Sequence, residues 1–160
     1  MTQIKSELQG ILSAQKAIRD LAKDLGAKKA GGLYRKPMKD ALVPFHQRIE
    51  ATTPVDSGAL KDAVKSLVRK PNKKDLKNED VTQDTVMVGK VGWQRKTGDD
   101  ATYKQFLAVE YGNRDRNSTP VLRPAFTALH EQARSIFAKG LGENVNKAAK
   151  RLARKQKKGK

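Results

Sequence analysis

TVMVGKVGW, residues 85–93, is the strongest strand signal in the chain: β-branched residues recur there in alternation. Gly89 and Gly92 within it mark bulges or close approach of another backbone. Upstream, SLVRK at 66–70 offers a weaker strand that overlaps a helical pattern. The polar stretch RKPNKKDLKNEDVTQD, 69–84, lies between the two. Together they predict a hairpin with a long basic loop.

Outward from the hairpin the periodicity is helical. Ile4, Leu8, Ile11, Ile18, Leu21, Ala22 and Leu25 recur at three- and four-residue steps, predicting an amphipathic helix over 2–25. Gly26 suits its C-cap, and Gly31-Gly32 reads as a flexible joint. A second helix is expected from Lys36-Pro37, because proline suits a first helical turn. Met38, Leu42, Phe45 and Ile49 form its stripe, and Pro44 should kink it. After Pro54, Asp56 or Ser57 is the expected N-cap of a short helix carrying Ala59, Leu60, Ala63, Val64 and Leu67. YKQFLAVEYG, 103–112, reads as a short helix whose ValGluTyr end could finish as a strand. Pro120 and Pro124 stiffen the entry to a last helix with Phe126, Leu129, Ala133, Ile136 and Phe137 on one face. Gly140 and Gly142 are expected to interrupt it.

The chain has 160 residues, which suits one domain with an appended arm. Hydrophobic residues are 37%, aromatics 5% and charged residues 32%, so the core is expected to be aliphatic and thin. Thirty-four Lys and Arg against seventeen Asp and Glu give a net charge of +17, which favours an anionic partner. No cysteine is present, so disulfides, thiol nucleophiles and thiolate metal sites are excluded. No stretch approaches a membrane span, and the N-terminus lacks the apolar run of a secretory signal. A cytosol-like compartment is therefore expected.

The carboxylates form no acid–base pair in sequence. Asp99-Asp100 reads as a solvated turn, and His46 and His130 as helix-surface residues. Nothing has the form of a Ser-His-Asp set. Glu110 stands in an apolar context, and a buried carboxylate needs a partner. The expectation is a structural ion pair with Arg123 or Arg114. Residues 143–160 carry eight Lys and Arg against Glu143 alone. That tail reads either as a solvated, frayed helix or as a contact for phosphates or an acidic protein. It holds no aromatic residue for base stacking, which argues against single-strand recognition.

Three ordered stretches add a resemblance: TPVDSGALKDAV (53–64), VMVG (86–89), and 103–126 with its EYG and TPVLRPAF segments. Together they resemble the neck or tail-completion family of long-tailed bacteriophages, small head–tail joining and tail-component proteins. The resemblance covers about residues 35–140 and rests on Pro54, Asp56, Ser57, Gly58, Leu60, Glu110, Tyr111, Gly112, Pro120, Arg123 and Pro124. Ser57 replaces the usual Thr, and Asn113 follows Gly112 where Thr is commoner. Read from the residues, Gly58 would allow close packing and Gly112 a positive φ.

The resemblance implies an α+β fold, a small, mostly antiparallel sheet packed by helices. The expected organisation is an N-terminal helix at 1–30, a connector-type domain at 31–142 and a basic tail at 143–160. It implies a non-enzymatic virion protein, made in the host cytoplasm and placed at the head–tail junction. Copies would close into a six-fold or twelve-fold ring that binds other connector and tail proteins. No cofactor, metal or membrane is implied. Duplex DNA in the channel is a further expected partner. Lys73, Lys74 and Lys77 in the loop, and Lys147, Lys150, Arg151, Arg154 and Lys155 in the tail, are the candidate contacts to DNA or neighbours. Both segments are expected to order only on assembly. The rival readings are a hexameric tail terminator and a nonspecific DNA-binding accessory protein.

Overall fold

A computed structural model describes residues 27–55, 58–79, 81–82, 85–94, 100–115 and 117–158, with side chains of 27–30 and 155–158 left aside. The amphipathic helix expected over 2–25, with its Gly26 cap, lies outside the described residues.

The fold is α+β. A long helix α1 (Ala27–Thr52) leads to a single helical turn α2 (Ala59–Asp62) and strand β1 (Val64–Arg69). A 3-10 turn (Asp75–Lys77) interrupts the connection to strand β2 (Val88–Trp93). Helices α3 (Asp100–Tyr111) and α4 (Leu122–Lys158) follow. The strands pair antiparallel, Val64 opposite Trp93 and Arg69 opposite Val88. The hairpin expected around residues 85–93 is thus present. The helical pattern through Leu67 stops at Asp62, because Val64 and Val68 enter the sheet and are buried. ValGluTyr at 109–111 completes α3 and forms no strand.

α1 and α4 run antiparallel along one seam. Phe45 meets Phe126 near one end, Pro37 meets Gly140 further along, and Leu33 packs with Ala148 beyond that. The main core gathers Ala41, Phe45, Ile49, Leu60, Val64, Val109, Val121, Ala125 and Ala133. A second, smaller cluster of Leu33 and Ala148 is packed by Tyr34, Leu141, Val145 and Leu152. Burial pushes the Tyr34 phenol pKa up there.

Two expectations about α1 are corrected. The helix does not begin at Pro37, and Gly31-Gly32 is not a joint: helix runs through both and on past Pro44. Proline has no N–H, so inside a helix it orphans the carbonyl four residues back. For Pro37 that carbonyl belongs to Leu33, and the Asn144 side-chain amide on α4 donates to it at 2.9 Å. The neighbouring helix supplies the bond that proline withholds.

Gly140 and Gly142 do not interrupt α4 either. A Cβ at Gly140 would lie 3.1 Å from the Cβ of Pro37, so glycine permits the close approach of the helices. A Cβ at Gly142 would meet open space. Gly89 does a similar job in the sheet, where a Cβ would stand 3.1 Å from the Met38 side chain.

Candidate functional site

Glu110, Tyr111, Gly112, Pro120, Arg123 and Pro124 lie together at one corner, the junction of α3 and α4. α3 ends at Tyr111 because Gly112 turns the chain at φ 78°, with its N–H donating to the Ala108 carbonyl at 2.9 Å. That positive φ is the conformation the sequence predicts for it. Thr119 then returns, its N–H donating to the Val109 carbonyl at 2.8 Å. Pro120 is exposed, Val121 is buried, and Pro124 occupies the first turn of α4.

Glu110 closes this corner differently from the expectation. Its buried carboxylate accepts backbone N–H groups from Val121 and Leu122 at 2.9 and 3.0 Å, and from Arg123 at 3.3 Å. These are among the orphan donors of the first turn of α4. Glu110 is therefore a cap reaching from another helix, with a negative charge at the positive end of the α4 dipole. The predicted ion pair with Arg123 or Arg114 is replaced by these main-chain bonds. The Arg123 guanidinium instead lies 5.2 Å from the centre of the exposed Tyr111 ring.

The first motif joins the same core through Leu60, which packs in the cluster that holds Val109, Val121 and Ala125. Pro54 is half-buried. Asp56 and Ser57 lie outside the described residues. The N-cap of α2 falls on Gly58, not on Asp56 or Ser57 as expected, with φ 79°. A Cβ there would touch nothing within 4 Å, so Gly58 serves the left-handed backbone and not close packing.

Beside the capped corner lies an apolar groove of about 440 Å³, lined by Phe45, Ile49, Val91, Leu122 and Phe126, with Arg123 at its rim. Phe126 stacks on Phe45 at 5.7 Å between ring centres yet remains 65% exposed, and Tyr111 is 63% exposed.

The basic loop is folded locally. Asp75, 5% exposed, receives Arg69, Lys90 and the backbone N–H of Asn72 on its carboxylate. Hydrogen bonds from Arg69 and Lys90 hold the Asp75 carboxyl well below the usual carboxylate range. The Asn72 side-chain oxygen accepts from the N–H groups of Lys74 and Asp75, both at 3.0 Å. Lys73, Lys74 and Lys77 project from this clasp and are exposed. The clasp gives the loop backbone at 72–78 a defined turn within a single chain. The Asp75–Arg69–Lys90 cluster was missed by sequence reasoning. Its signal is Asn72 three residues before Asp75, a local turn pattern.

The tail is likewise helical through Lys158. Lys147, Lys150, Arg151 and Arg154 are exposed on α4, and Lys155 belongs to the same helix. Ala148 and Leu152 pack on Leu33 and Tyr34, which seats this part of the tail on α1. These tail residues lie at the far end of α4 from the Glu110 corner, so the two sets of candidate residues form separate places.

His46 is half-exposed with Nε2 3.9 Å from Glu50, and His130 stacks over Phe126 at 6.1 Å. Both are helix-surface residues, as expected. Among the described residues no group of three or more His, Asp or Glu is placed to hold a metal ion, and no helix is long and apolar enough to cross a membrane. Comparison with protein-family models, curated proteins and solved structures gave no match.

Proposed function

We propose that the chain is a structural subunit of the head–tail junction of a long-tailed bacteriophage, closing into a ring with copies of itself. The observation that carries this reading is the Glu110-capped corner with an exposed apolar face beside it. The family-like motifs meet in a scaffold there, and Phe126, Tyr111 and the groove present apolar surface to a neighbour. A heterologous contact of that kind closes a ring when its rotation permits. The function is geometric: one subunit type repeats and matches one ring to the next.

Electron microscopy of the purified protein, with its mass in solution, tests this. The expected result is rings with a central hole that dissociate in the Phe126→Ser variant while the variant stays folded, its stability lowered only by the lost stacking on Phe45, about 0.5–1.5 kcal/mol. A monomer at every concentration would refute ring closure by the free protein. Rings indifferent to Phe126→Ser and to Tyr111→Ser would refute the assigned face.

A further inference from the structure

Residues 27–39 contain five Lys and Arg, and residues 144–158 contain seven, with no Asp or Glu in either stretch. The antiparallel seam of α1 and α4 brings these two stretches side by side, fastened by the Asn144–Leu33 hydrogen bond and the Leu33–Ala148 cluster. Between them lies a cleft of about 420 Å³ with Gly32 and Leu33 on one wall, and Lys36, Lys147 and Arg151 among its lining residues. The acids nearest in sequence, Asp40 and Glu143, stand at the inner end of the arm, near the Pro37–Gly140 contact.

We propose that this two-helix arm binds the sugar-phosphate backbone of duplex nucleic acid without reading its sequence. Lys36, Lys147 and Arg151 take a phosphate at the cleft, and Lys150 and Arg154 continue the contact along α4. The inference stands apart from the ring reading, since it needs only one chain.

Charge and geometry select the occupant. On a helix of 3.6 residues per turn, Lys147, Lys150, Arg151 and Arg154 fall within an arc of about 100°. Lys147 and Arg154 are separated by about 10 Å along the axis, close to the rise of three base pairs at ~3.4 Å each. An α-helical face holds these cations in fixed register, which suits the regular phosphates of a duplex. The cationic stripe itself offers no aromatic side chain for a base to stack on, which disfavours a single strand. An interfacial membrane helix would need a free apolar face. The apolar face of this part of α4, Leu141, Val145, Ala148 and Leu152, is already occupied by Leu33 and Tyr34.

The test is binding of the full chain to a labelled 30-base-pair duplex of arbitrary sequence, by fluorescence anisotropy across a salt series. The arm variant Lys36→Gln/Lys147→Gln/Arg151→Gln is compared with the loop variant Lys73→Gln/Lys74→Gln/Lys77→Gln, which removes the same charge elsewhere. All six residues are exposed, and each variant is first checked for folding by circular dichroism. Three lost phosphate contacts should lower the slope of log K against log salt by about 2.7. Extrapolated from 1 M, that is a loss of roughly 500-fold at 0.1 M salt. The loop variant should change the slope by less than about one contact, ~0.9. Equal losses in the two variants would overturn the proposal, because net charge would then explain binding. Tighter arm-dependent binding to phosphatidylglycerol vesicles, or equal affinity for a 30-nucleotide single strand, would also overturn it. Rings that form without arm-dependent binding would sink this inference alone, and arm-dependent binding by a monomer would sink only the ring.

Discussion

Replacing Glu110 by Ala removes the acceptor that closes the start of α4. Three backbone N–H groups lose their partner, those of Val121, Leu122 and Arg123. Their surroundings differ, since Val121 is buried, Leu122 is half-buried and Arg123 is exposed. Water can satisfy the Arg123 donor. The Val121 donor stays buried and unmet, at a cost of about 1–3 kcal/mol. Loss of the cap and its charge at the helix N-terminus adds about 1 kcal/mol. A total near ~3 kcal/mol follows, and for a chain of this size each kcal/mol moves Tm by about 2–4 °C. Glu110→Ala should therefore lower Tm by about 6–12 °C, read by far-UV circular dichroism and by urea unfolding. Glu110→Gln keeps one carbonyl acceptor and loses the charge, so its cost should be about half as large. Arg114→Ala should cost less than ~0.5 kcal/mol as an exposed substitution. Arg123→Ala loses the contact over Tyr111, about 0.5–1 kcal/mol. A Glu110→Ala change within ~0.5 kcal/mol of wild type would refute the cap. An arginine variant that costs as much as Glu110→Ala would restore the ion pair.

Three further outcomes are expected. Asp75→Asn should destabilise the protein at neutral pH and progressively less in acid. The Asp75 pKa is depressed in the folded state, so its contribution is full above the ordinary carboxylate pKa and is lost as pH falls toward the folded value. The gap in urea midpoints between wild type and variant should begin to narrow below about pH 4 and keep narrowing as pH falls further toward the folded value, and a constant gap would contradict the clasp. Gly142→Ala should raise stability by about 0.5–1 kcal/mol through helix propensity, whereas Gly140→Ala should lower it, because its Cβ would press on Pro37. Stabilisation by both, seen as higher Tm, would mean that the helices do not approach closely there. Asn144→Leu should cost about 1–2 kcal/mol by orphaning the Leu33 carbonyl, and amide exchange around residues 31–37 should quicken. Unchanged exchange would show that the helix passes Pro37 without that bond.

The basic loop and tail illustrate how charge and structure divide the problem. Their composition marks both as candidate contacts, yet composition cannot distinguish a free arm from a fixed one. Asp75 gathers Arg69 and Lys90 beneath the loop lysines, and the apolar residues of α4 pack on α1 beneath the tail lysines. Lys36 joins the tail surface only through tertiary contact, since nothing in its local sequence couples it to Lys147.

Sequence by itself determined the features that depend on a residue and its near neighbours. The alternation at 85–93 is enough for β2, and glycine at 112 is enough for a left-handed turn. Pro124 in a first helical turn and the stripe from Phe126 are enough for the first half of α4. Tertiary structure decided the points where a local rule was overridden by a distant partner. Pro37 marks a helix start by local rules, but Asn144, 111 residues from Leu33, lets the helix continue. Glu110 needs a partner by its burial, but only the placement of α4 against α3 makes that partner the main chain at 121–123. Gly140 breaks a helix by propensity, a cost of about 1 kcal/mol, which the packing against Pro37 offsets. Backbone preferences are set within a few residues and can be read from them. The satisfaction of a buried carbonyl or N–H is a property of the whole chain, because the group that meets it can come from anywhere the fold brings close.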